Sequence, residues 1–83
     1  MKKVTDVKAY DDLTLELVFD DGSVRHFDAK PYLEFPAFRH LKSPAEFVRA
    51  SVQHDTVSWP GGQDISPDTL YLESVQIGEV VTA

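Results

Sequence analysis

Cysteine is missing from all 83 residues, which removes disulfide scaffolds, thiolate metal sites and cysteine nucleophiles together. The absence leaves the redox compartment open, so cytoplasm is the default expectation. Positive charge is scarce. Eight Lys and Arg stand against fourteen Asp and Glu, a formal net charge of -6 that repels nucleic acid and anionic lipid. An autonomous nucleic-acid binder is therefore disfavoured, and a basic protein partner is the natural complement. No lysine or arginine occurs anywhere from Val57 to Ala83. No run approaches the ~18 apolar residues of a membrane span, and MKKVTDVKAYDD at the start carries charges where a signal peptide needs an apolar stretch. The expectation is a soluble chain with no membrane contact.

What is present is ordinary core material: 42% hydrophobic residues, with five Phe, three Tyr and one Trp. That composition argues for a globular chain, and the length gives room for one domain, 1–83, burying only about 60 to 65% of its unfolded surface. Leu13, Leu15, Leu17 and Phe19 alternate with more polar positions, the period of a half-buried strand. Asp20-Asp21-Gly22-Ser23 follows as a hairpin turn, since Gly22 takes positive φ without a Cβ clash. A return strand runs from Ser23 to Ala29. Of two registers, a three-residue loop with Gly22 as bulge residue pairs Phe27 near Leu15 and turns His26 outward, and it is preferred over a two-residue Asp21-Gly22 turn. Lys3 to Tyr10, with Val4, Val7 and Tyr10, supplies a third antiparallel strand joined through Asp11-Asp12.

Prolines at 31 and 36 break the middle segment, so Lys30 to Lys42 is expected as short or 3₁₀-like turns. Ser43-Pro44-Ala45-Glu46 reads as a complete capping box opening a helix from Pro44 to about Ala50, with Phe47 and Val48 inward. Ser51 to His54 and Thr56 to Trp59 form a second hairpin around Asp55. Ser66-Pro67-Asp68 then starts a helix through about Ser74, anchored by Leu70 and Tyr71. Residues 75–83 alternate weakly and are an edge strand, an interface or a tail. The fold class is thus α+β: a small antiparallel sheet, made of an N-terminal three-stranded meander plus a short C-terminal hairpin, with two or three short helices packed on it.

The markers Leu15-x-Leu17-x-Phe19, Asp21-Gly22, Phe27-Asp28, Phe47, Trp59-Pro60, Gly62, Asp64, Pro67-Asp68 and Leu70-Tyr71 follow one another in a familiar order. Over roughly residues 4 to 71 the chain resembles the bacterial domain of unknown function family 2442. The resemblance implies a small α+β domain. It also implies, for some members, a neighbouring small protein in a toxin and antitoxin arrangement, and for others a fused helix-turn-helix. With twelve residues after Tyr71, no such module is expected here. No catalytic residue is established for the family, so none is carried over.

Four groups of residues invite a functional reading. Trp59 to Tyr71, WPGGQDISPDTLY, has glycines before a helix start, but Asp64 and Asp68 flank it and neither phosphate-loop spacing is present. A structural corner accounts for it: Pro60 ends a strand, Gly61 and Gly62 reverse the chain, and Asp64 and Asp68 complement the helix end. Trp59 is either a core plug or an interface anchor, with the core preferred in so small a domain. His26, His40 and His54 lie fourteen residues apart on different elements, without the i, i+4 spacing that fixes two metal ligands. No serine sits in a nucleophile motif. No catalytic, cofactor or metal residue is assigned, and an enzyme is the weaker reading.

Two functions follow. The first is a protein-binding or regulatory module, such as the antitoxin-like partner of a small basic protein, or a homodimer. Its contacts would come from Trp59, from Tyr32, Phe35 and Phe38 in the proline-broken segment, and from Arg25, read as outward with His26. The segment 31–41 either covers the sheet, which is preferred, or docks a partner. The alternative is a small-ligand or minor enzymatic domain with a cleft near Trp59, Asp64 and His54.

Overall fold

The computed structural model describes residues 2–80. The first three strands, β1 (Val4–Ala9), β2 (Thr14–Phe19) and β3 (Ser23–Asp28), form the expected antiparallel meander. Leu15 lies opposite Phe27 and Val18 opposite Val24, which leaves a three-residue loop whose last member, Gly22, has φ of 86°. This is the bulge register, and His26 is exposed. The β1–β2 connection repeats the device: Leu13 has φ of 69°, and its N–H donates to the Tyr10 carbonyl at 3.1 Å. In each loop an aspartate accepts the N–H two residues on. Asp12 accepts from Thr14 at 3.2 Å, and Asp21 accepts from Ser23 at 2.9 Å.

Two 3₁₀ segments, Lys30–Glu34 and Pro36–Lys42, fill the proline-broken middle and place Leu33 and Leu41 in the core. Helix α1 (Pro44–Phe47) is shorter than its cap signal implies. Neither half of the capping box forms: the Ser43 side chain makes no cap bond, and the Glu46 carboxylate pairs with Arg49 at 3.4 Å while the Ser43 N–H donates to the His40 carbonyl at 3.3 Å. Beyond Phe47 the Arg49 and Ala50 N–H groups reach back only three residues, so the helix tightens and Val48 is left exposed, not inward. Helix α2 (Pro67–Leu72) has the cap α1 lacks: the Ser66 hydroxyl accepts from the Thr69 N–H at 3.2 Å.

The C-terminal hairpin, β4 (Ser51–Gln53) and β5 (Thr56–Ser58), turns through His54 and Asp55, both at positive φ. A further strand, β6 (Asp64–Ile65), pairs with β5 and makes a separate three-stranded sheet. Trp59 to Gln63 is therefore a hairpin loop, closed by the Trp59 N–H on the Gln63 carbonyl at 2.9 Å, rather than a direct corner from strand to helix. Asp64 lies in β6 opposite Ser58, leaving Asp68 as the acid in the first turn of α2. Finally β7 (Val75–Glu79) adds antiparallel to β3 at the edge of the main sheet, in the order β1-β2-β3-β7. Residues 81–83 of the expected C-terminal extension lie outside the described residues.

One cluster of buried side chains joins the two sheets: Val4, Leu15, Leu17, Phe19 and Phe27 from the meander, Val57, Trp59 and Ile65 from the small sheet, and Phe47 and Leu70 from the helices. Each fully buried side chain of this size stabilises by about 1.5–3 kcal/mol relative to exposure. The sheets are also stitched directly, the Val4 N–H donating to the Asp55 carbonyl at 2.8 Å. No helix among the described residues is long and apolar enough to cross a membrane.

Candidate docking groove

The structure separates the five residues that the sequence nominates as partner contacts. Trp59 is a core plug, 3% exposed, with its indole N–H donating to the Phe47 carbonyl at 2.8 Å. Phe38 is half-buried and meets Trp59 edge-on, ring centroids 6.5 Å apart. Arg25 is not outward. It lies opposite Leu17 in the same register that turns Phe27 inward. Its Nε donates to the Ser74 hydroxyl at 2.7 Å, a second nitrogen donates to the Ser74 carbonyl at 3.0 Å, and its guanidinium sits 4.1 Å from the centre of the Tyr71 ring. Arg25 thus clamps the junction of α2 and β7 onto β3, and it is occupied there.

Tyr32 and Phe35 come together. The first 3₁₀ segment lays Tyr32 against Phe27 with centroids 5.5 Å apart, and Phe35 stands edge-on to Tyr32 at 6.2 Å. With Asp28, Pro31 and Glu73 they line a groove of about 350 Å³ between the end of β3 and the C-terminal end of α2. The Tyr32 hydroxyl donates to the Glu73 carboxylate, and this bond, with partial burial, pushes the phenol up to about 12. Tyr32 therefore stays a neutral donor across the physiological range, with its ring fixed at both ends. Phe35 is different: it is 56% exposed and capped by nothing else in the chain's described aromatic contacts. Asp28 is held below its ordinary value by Lys30, whose ammonium lies 2.9 Å away.

A larger cavity of about 500 Å³ is lined by Lys2, Asp20, Asp21 and Asp68, but much of its charge is satisfied internally. Lys2 pairs with Asp21 at 3.2 Å, and Asp21 also receives the Tyr71 hydroxyl at 3.0 Å. The three residues of the alternative cleft do not assemble one: Trp59 is buried, Asp64 is an exposed strand residue and His54 is an exposed turn residue. Among the described residues no three His, Asp or Glu side chains gather where they could hold a metal ion.

Pro31 falls within the segment 31–41 that the sequence offers for docking, whereas Phe27, Asp28 and Glu73 do not read as docking residues. Tyr32 and Glu73 are 41 positions apart, and only the addition of α2 and β7 beside β3 brings them together. Comparison with curated proteins and with solved structures yields no match. Comparison with family models does, and it spans the strand, turn and helix markers from Val4 to the start of β7: over residues 4–76 the chain belongs to the family described as "Protein of unknown function (DUF2442)".

Proposed function

We propose that this chain is a protein-binding module of the cytoplasm that docks a partner at the groove of Tyr32 and Phe35. One observation carries the reading: Phe35 stands 56% exposed on the wall of a groove in which the neighbouring Tyr32 is already held in place by Glu73. Large aromatics with few rotamers, preorganised beside an apolar pocket, are the residues that dominate interface energetics. An acidic chain of this kind suits a small basic partner, in keeping with an antitoxin-like or regulatory role. Purification of the tagged chain from its own cells tests this. A stoichiometric partner is expected with the natural sequence and is expected to be lost with Phe35→Asp, whose exposed position keeps the fold intact. Recovery of the bare chain, or of the same partner with the variant, would refute the reading.

A further inference from the structure

The docking reading leaves open what chemistry the groove accepts, and the residues around it narrow that choice. Its walls are the rings of Phe27, Tyr32 and Phe35, and its polar lining is acidic, from Asp28 and Glu73. Glu73 receives Tyr32 through Oε2 only, and Asp28 receives both the backbone and the ammonium of Lys30 through Oδ1. Each carboxylate therefore has a second oxygen with acceptor capacity. Lys30 offsets the charge of Asp28, which makes Glu73 the principal anion of the groove. Glu73 stands at the C-terminal end of α2, whose last turn carries no basic residue of its own, and the nearby Arg25 is engaged by Ser74 and the Tyr71 ring. The volume, about 350 Å³, is large enough to admit one long side chain.

An aromatic surface next to a carboxylate is the surrounding that a guanidinium prefers, because its planar face stacks on the ring while its edge donates in the plane. The protein stacks a guanidinium internally, Arg25 over Tyr71, although there its nitrogens donate to the hydroxyl and carbonyl of Ser74 and not to a carboxylate. We propose that the groove seats an arginine side chain of the partner, stacked on Tyr32 and Phe35 and hydrogen-bonded to Glu73. This inference rests on the docking reading and specifies its occupant. The net charge of -6 steers such a segment towards the chain.

The test uses the full chain, isotopically labelled for amide NMR, and two acetylated and amidated pentapeptides, Gly-Leu-Arg-Leu-Gly and its counterpart with citrulline in place of arginine. Citrulline keeps the shape and removes the charge. The arginine peptide is expected to shift the amides of Tyr32, Phe35 and Glu73 with a Kd on the order of 1 mM. Binding is expected to be about tenfold weaker for the citrulline peptide, and about tenfold weaker for the arginine peptide with Glu73→Gln, whose carbonyl still accepts the Tyr32 hydroxyl. Equal affinity for the two peptides, shifts centred on Asp21 and Asp68, or no shifts would each overturn the assignment. The two proposals fail separately. A Phe35-dependent partner together with equal peptide affinities keeps docking and removes the arginine. Arginine-selective shifts at the groove with no partner in cells keep the groove chemistry and remove the docking role.

Discussion

Trp59 is fixed at its polar end by the Phe47 carbonyl and across its faces by Phe47 and Phe38, whose centroids lie 5.7 and 6.5 Å away. Trp59→Phe retains a ring but leaves the Phe47 carbonyl without its indole donor and opens space in the core, so a loss of about 1–3 kcal/mol is expected in a urea titration. Asp21 illustrates the opposite kind of residue, exposed but electrostatically active. Hydrogen bonding from Ser23, with smaller contributions from Tyr71 and Lys2, holds its carboxyl well below the ordinary value of 3.8. A carboxyl depressed in the folded state contributes stability above its unfolded value and loses it as pH falls through the folded one. Below about pH 4, therefore, the natural chain should lose stability more steeply than Asp21→Asn when urea midpoints are compared at successive pH values. At this scale the sequence was partly legible. Trp59 reads correctly as a plug because a small domain has few other large side chains, whereas Arg25 reads as outward and is not: strand residues two apart share a face, so the alternation that turns Phe27 inward turns Arg25 inward as well.

The elements show where local chemistry suffices and where it does not. The Asp20-Asp21-Gly22-Ser23 loop announces itself through glycine, yet Asp11-Asp12-Leu13-Thr14 adopts the same three-residue hairpin with the same aspartate bond, hidden because leucine rarely takes positive φ. Likewise two Ser-Pro helix starts look equivalent in the sequence but differ in the fold. Ser66 caps α2 with a bond to the Thr69 N–H, while Ser43 makes no side-chain cap bond to α1. Ser66→Ala should accordingly cost about 1 kcal/mol, and Ser43→Ala should change stability by less than about 0.5 kcal/mol, in matched denaturation curves. Strand β6 escaped the sequence reading because two residues, Asp64 and Ile65, carry no periodicity; its existence depends on β5 beside it.

For the whole molecule, the fold class and meander register were legible because alternation and turn chemistry are local. The groove was not, because its walls come from β3, the first 3₁₀ segment and the end of α2, and only tertiary packing joins them. The sequence nominated Tyr32 and Phe35 as large apolar groups in a broken segment, and the fold then divides that segment: Leu33 and Leu41 cover the sheet, and Phe35 does not. The Arg25 clamp on Ser74 matters here, since it fixes the end of α2 and thereby the position of Glu73 against Tyr32. Docking at a preformed groove makes a spatial claim that amide hydrogen exchange tests directly, comparing the chain alone with its complex purified from cells. Slower exchange on complex formation should fall in two stretches, residues 32–35 and 73–76, with the β5–β6 hairpin unchanged. Slower exchange confined to that hairpin or to β1, with both groove stretches unaltered, would contradict the account.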